Sequence, residues 1–251
     1  MLSASTHDTQ QEPARPPLPW PVWGQWTLAN TIGEALGLGA TLLAGILLFA
    51  RLEPRIGPVL SAILGVLAGA CVEGGIVGTA QWLVLRGPLA GLSWIVWAAA
   101  TAIGAGIAWA LGLLPTTIIS LTTATAENAS ASPPNPSELV VYSLAAALGL
   151  VAGAILALAQ WWVLRRFVPR ASWWILASAI AWALGMVLVF IGTSFIPDSG
   201  VTASVIPILI AFVVLAGATV GAIEGLALIW LLRGRDIAAT TTTSAASSPI
   251  S

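Results

Sequence analysis

A chain of 251 residues with 8% charged and 58% hydrophobic residues and a mean hydropathy of +0.95 cannot cover a water-facing surface. An ordinary soluble domain carries roughly 25% charge, so the solvent must be a lipid bilayer. The net charge of −1, with nine Arg and no Lys, excludes a nucleic-acid partner, and a single Cys, Cys71, excludes an intrachain disulfide.

From the amino terminus, residues 1–25 read as a polar cytoplasmic tail in which Pro13, Pro16, Pro17 and Pro19 oppose helix formation. His7, the only His, belongs to this tail, and no signal-peptide pattern precedes the first apolar segment, which is expected to act as an uncleaved anchor. A helix needs about 20 apolar residues to cross the hydrocarbon core. Six segments reach that length: Thr27–Ala50, Ile56–Leu85, Trp94–Leu114, Leu139–Leu164, Trp173–Ile196 and Val205–Leu232. The breaks between them carry charge or proline: Arg51-Leu52-Glu53-Pro54-Arg55, Arg86-Gly87-Pro88, a Thr/Ser/Ala/Pro stretch from Pro115 to Glu138, Arg165 to Arg170, and Pro197-Asp198-Ser199-Gly200. Residues 234–251 are mostly Thr, Ser and Ala and are expected to form a disordered cytoplasmic tail.

Six spans put both termini on one side. That side collects Arg15, Arg86, Arg165, Arg166, Arg170, Arg233 and Arg235, seven of the nine, and the positive-inside rule makes it cytoplasmic. Eleven of the thirteen Trp fall at the same face: Trp20, Trp23, Trp26, Trp82, Trp94, Trp97, Trp161, Trp162, Trp173, Trp174 and Trp230. They are expected to form an aromatic belt among the headgroups.

The chain also repeats itself. Trp26-Thr-Leu-Ala-Asn-Thr-Ile-Gly-Glu-Ala-Leu-Gly37 matches Trp174-Ile-Leu-Ala-Ser-Ala-Ile-Ala-Trp-Ala-Leu-Gly185 at seven of twelve positions, and a weaker copy begins at Trp97. The even-numbered segments share an ending: Gln81-Trp82-Leu83-Val84-Leu85-Arg86, Gln160-Trp161-Trp162-Val163-Leu164-Arg165 and, with Leu228 in place of Gln, Leu228-Ile229-Trp230-Leu231-Leu232-Arg233. Aligned on these endings, small residues coincide as Ala70/Gly74/Gly78, Gly149/Gly153/Ala157 and Gly217/Gly221/Gly225, each trio on one helix face. Small residues allow the close backbone approach by which helices pack in lipid. The expectation is an all-α integral membrane bundle of six transmembrane helices, made of three hairpins at about 26–86, 97–166 and 174–233. The copies run parallel around a pseudo-threefold axis along the membrane normal. Closing that ring brings the first and last helices side by side.

Hairpins ending in Gln-Trp-x-Val-Leu-Arg, with Trp-x-x-Ala-Asn/Ser starts and Gly stripes, resemble a set of uncharacterised bacterial multi-pass membrane proteins over about residues 26–233. The resemblance implies a bacterial plasma-membrane location and brings no activity, ligand or catalytic residue with it.

Three carboxylates lie inside the spans: Glu34, Glu73 and Glu224. A charge at such depth costs several kcal/mol, so an intramembrane carboxylate is a functional-site hypothesis by default. At ~1.5 Å rise per residue, Glu34 lies roughly 12 Å beyond Trp26, and Glu224 lies roughly 13 Å before Arg233. By the same rise, Glu73 lies about 20 Å before Arg86. Glu34 and Glu224 are therefore expected to share a depth and approach each other, with Asn30 as a neighbour. Gln81 and Gln160 border the small-residue stripes and complete the candidate polar cluster. The bland reading of this cluster is interhelical hydrogen-bonding glue.

Three functions compete. The first is a structural or interaction role, with the bilayer, a second copy or another membrane protein as partner. The second is proton- or cation-coupled transport through the carboxylates, although no span is obviously broken. The third is a membrane-embedded enzyme, disfavoured because no catalytic pattern, metal-ligand spacing or cofactor motif occurs and no His or Lys lies in the spans. A continuous polar track from face to face would favour transport, and isolated, mutually satisfied Glu would favour structure. A closed pocket open to one side would favour an enzyme or ligand binder.

Overall fold

A computed structural model describes residues 19–125, 137–197 and 200–246. His7, Arg15, Glu127 and Asp198 lie outside the described residues, as do the side chains of 46–51, 123–125 and 238–246. The regular elements are helices: α1 Trp20–Arg51, α2 Glu53–Leu85, α3 Trp94–Thr125, α4 Glu138–Leu164, α5 Trp173–Thr193 and α6 Ile206–Ala246. The five from α2 to α6 each hold a stretch long and apolar enough to cross a membrane. The first helix, carrying Thr27, Asn30, Thr31, Glu34 and Thr41, is not among those five.

Local chemistry explains the boundaries. Pro21 stands in the first turn of α1, where its missing N–H costs nothing. Gly57, at φ 79°, takes a left-handed conformation that L side chains rarely adopt, and Pro58 then restarts the helix. Two expectations are corrected. α3 runs through Pro115 to Thr125, well past the expected end at Leu114, and the Thr117 hydroxyl donates to the Leu113 carbonyl at 2.8 Å just beyond the proline. The last helix continues to Ala246, so most of the expected tail is helical, each added residue closing one more backbone bond on a preformed helix.

The centre of α2 holds a feature that the apolar pattern conceals. Gly69–Glu73 forms one π-helical turn, the wider turn that inserts an extra residue into a helix and re-aims the side chains beyond it. Glu73 closes that turn.

Each helix packs against its neighbours in the chain, and α6 packs against α1, so the six rods close a ring. Small residues set the contacts. Gly74 and Gly78 lie against Ala102 and Ala98 of α3, and Ala70 meets Gly106. Gly149 and Gly153 lie against Trp182 and Ser178 of α5, with Ala157 fully buried one turn on. Gly217, Gly221 and Gly225 lie against Glu34, Thr27 and Trp23 of α1. A Cβ at Gly221 would come within 2.9 Å of the Thr27 Cα, a distance at which the helices must move apart. Each even-numbered helix thus presents its stripe to the odd-numbered helix that comes next around the ring.

One end of the ring is filled. Trp26, Trp97 and Trp174 meet Leu85, Leu164, Leu228 and Leu232 there, joined by Leu89 and Leu92 of the α2–α3 loop and Val168 of the α4–α5 loop. Trp26 and Trp174 stand edge to face, 5.5 Å between ring centroids. These three tryptophans are fully buried, which removes them from the expected headgroup belt. Their place in the ring's interior results from their position one turn before the polar residues that face inward. Trp20, Trp94, Trp162, Trp173 and Trp230 are about half exposed, and the Arg165 guanidinium lies 3.7 Å from the Trp162 ring centroid.

Candidate functional site

Next to the filled end lies a layer of polar side chains. Residues four after each buried tryptophan are Asn30, Thr101 and Ser178, all buried. Helical spacing puts them on the same inward face as Trp26, Trp97 and Trp174. Gln81 and Gln160 complete the layer. Trp97 Nε1 donates to Gln81 Oε1 at 3.2 Å, and Trp174 Nε1 donates to Gln160 Oε1 at 2.9 Å. Gln81 Nε2 donates to Asn30 Oδ1 at 2.9 Å. Gln160 Nε2 donates to Gln81 Oε1 at 3.0 Å and to Thr101 Oγ1 at 3.1 Å. Asn30 Nδ2 and Thr101 Oγ1 donate back to the carbonyls of Trp26 and Trp97. Five helix segments are tied together in a layer that, with the apolar plug, closes one end of the ring.

The third tryptophan has no such partner. Leu228 stands where Gln81 and Gln160 stand in the other two hairpins, and Trp26 Nε1 is buried without a hydrogen bond. It lies beside the Glu224 carboxylate, itself one turn before Leu228, without reaching hydrogen-bond geometry. Glu224 Oε1 accepts from Ser178 Oγ at 2.6 Å, and its Oε2 is unpartnered.

Beyond the polar layer the ring is hollow. A chamber of about 310 Å³ is lined, among the described residues, by residues of α1 to α5. Its walls are apolar: Leu38, Leu42, Leu113, Leu148, Leu156, Met186, Val189 and Phe190, with Trp109 and Trp182. It extends from Thr101 at the polar layer to the exposed Thr193 near the far end of α5. Two carboxylates line it, Glu34 and Glu73. Glu73 is held by Trp109, whose Nε1 donates to Oε2 at 2.8 Å, and its backbone lies against Gly37 of α1. Glu34 is 2% exposed, and its Oε2 has no hydrogen-bond partner. Both Glu73 and Glu224 lie close enough to act on Glu34 electrostatically, and among the described residues no Arg is paired with any of the three.

Of the sequence-derived candidates, Asn30, Gln81 and Gln160 meet in the polar layer, Glu34 and Glu73 meet in the chamber, and Glu224 turns to α5. Glu34 and Glu224 occupy neighbouring helices, but no hydrogen bond joins them. The partner found for Glu224 is Ser178, because its helix also packs on α5. Three buried tryptophans, Thr101 and Ser178 were not singled out from sequence, although the repeated Trp-x-x-x-polar start carried the signal. Nothing in the sequence flagged Trp109 or Trp182, which face inward only because the ring closes. No group of three His, Cys, Asp or Glu capable of holding a metal occurs among the described residues. Comparison with family models, with curated proteins and with solved structures found no match to this chain.

Proposed function

We propose that this is a six-span protein of the bacterial plasma membrane, both termini cytoplasmic, whose ring of three related hairpins encloses a binding chamber for a small, largely apolar molecule. The observation that carries the reading is the chamber itself, about 310 Å³ of apolar-walled space next to an unpartnered buried carboxylate oxygen. Ligand sites are typically such cavities, mostly apolar with a few placed polar groups. The threefold reading is supported by two Trp-to-Gln bonds that join successive hairpins in the same sense, and by Gly stripes that each face the next hairpin. The orientation rests on the Arg distribution.

The direct test is calorimetric titration of cyclohexylmethanol into the protein in phosphatidylcholine nanodiscs, with empty nanodiscs subtracted. The parent protein should bind it, and Ala152→Trp, which fills the chamber from α4, should not. Uptake no greater than that of empty discs, for this alcohol and for its amine counterpart alike, removes the binding reading.

A second reading, proton- or cation-coupled transport, is favoured by the three neighbouring carboxylates. It requires the Trp–Gln layer to open, since that layer and the plug behind it close one end. Proton flux in proteoliposomes tests it, with Glu34→Gln and Glu224→Gln as the informative variants. If the parent carries no flux, the transport reading is dropped and the Glu224–Ser178 bond is interhelical glue.

A further inference from the structure

The chamber's chemistry also narrows what would occupy it. We infer that it takes a small organic monocation, an alkyl- or arylammonium whose charged head sits between Glu34 and Glu73 and whose apolar body fills the space toward Leu113 and Phe190. This inference rests on the chamber being a binding site.

Four observations converge on that class. First, Glu34 lines the chamber and its Oε2 is buried and unpartnered, while the Oε2 of Glu73, which also lines it, is already held by Trp109. A buried acceptor without a donor is costly, and a guest that brings an N–H removes the cost. Second, no basic residue among the described residues lines the chamber. The groups facing Glu34 from the packed helices are Glu73 on α2 and Glu224 on α6, both acids, so no cationic side chain among the described residues faces it. An anion would find no positive partner there.

Third, the lining excludes a bare metal ion. Hard cations take six or more oxygen ligands, and beyond the two carboxylates the lining offers the hydroxyls of Thr101 and Thr193. The Thr101 hydroxyl is already engaged with the Trp97 carbonyl and with Gln160. Fourth, the aromatic walls suit an organic cation. Trp109, Trp182 and Phe190 line the same space, and an ammonium over an aromatic face gains attraction that strengthens when water is excluded. A wholly apolar guest would leave Glu34 unpartnered. A neutral alcohol could donate one hydrogen bond without compensating charge, and is the proper control.

The experiment compares three guests of similar shape in phosphatidylcholine nanodiscs: cyclohexylmethylamine, cyclohexylmethanol and the trimethylammonium counterpart of the amine. The amine should bind at least about tenfold tighter than the alcohol, and Glu34→Gln should remove that preference. Should Glu34→Gln fail to fold, the parent protein decides the matter. The trimethylammonium guest carries a charge that does not titrate, so its affinity should weaken as pH is lowered and the chamber carboxylates lose charge, while the alcohol's affinity stays constant. Equal binding of amine and alcohol, with no pH dependence for the trimethylammonium guest, overturns the monocation while keeping the chamber. Binding of none of the three overturns the chamber reading together with it.

Discussion

Replacing Gln81 by Leu removes the hub of the polar layer without changing its volume much. Gln81 holds three side-chain bonds, to Asn30, Trp97 and Gln160. After the change, Asn30 Oδ1 and Trp97 Nε1 have lost their side-chain partners, whereas Gln160 Nε2 keeps Thr101. Interhelical hydrogen bonds in membranes average about 0.6 kcal/mol and reach about 1.7, so three of them amount to about 2 kcal/mol, with a ceiling near 5. The expected loss is about 2–4 kcal/mol, because stranded buried groups add their own penalty. Steric damage is not expected, since Leu228 already stands in the corresponding place beside Trp26. The assay is SDS-induced unfolding in mixed micelles, run as a double-mutant cycle with Trp97→Phe, which deletes the indole N–H and keeps a ring. A coupling of about 0.6 kcal/mol or more between the two sites is expected. A loss below about 0.5 kcal/mol for Gln81→Leu, the range of an inconsequential surface change, would refute the hub.

The same geometry sets three further outcomes. Gly221→Leu should unfold or misassemble the protein by forcing α6 off Thr27 and Asn30, whereas Gly39→Leu, with nothing within 4 Å of its Cβ position, should be tolerated in the same unfolding assay. Leu228→Gln should stabilise by about 0.5–1.5 kcal/mol, since its carbonyl can accept from Trp26 Nε1 and its amide can reach Glu224 Oε2; a loss of stability of similar size would show that the two orphaned atoms are otherwise accommodated. With Cys71 removed, a Cys at Ser204 should react with an impermeant label from outside and one at Arg166 only from inside; the reverse pattern would invert the topology.

Sequence reasoning reached the helices and the contact between α1 and α6 because those depend on apolar run length and on small residues at helical spacing. Gly221 could be placed on an interface from its neighbours Gly217 and Gly225 alone. The chamber was out of reach for a physical reason. Inward and outward apolar positions look alike in lipid, so Trp182 inside the ring and Leu184 outside it carry no distinguishing mark. The π turn was hidden too, because Gly-Ala-Cys-Val-Glu continues the apolar pattern and only its backbone bonding departs from α-helix. The polar layer was half legible: Gln81, Gln160 and Asn30 stand out by composition, while Trp26, Trp97 and Trp174 resemble belt residues until their burial is known.

Closure of the ring between its last and first helices sets a timetable for synthesis. Trp23 Nε1 donates to the Ala222 carbonyl across 199 residues of chain. At roughly 5–20 residues per second, Trp23 is made about 10–40 s before that partner exists. For that interval its most polar face must be sheltered by the next segment made, and α2 supplies the shelter: Gln81 reaches Asn30, and Glu73 settles against Gly37. The first hairpin is therefore the one that has to be self-sufficient, and a defect on its Asn30 face should send the nascent chain to quality control before the sixth helix is ever made.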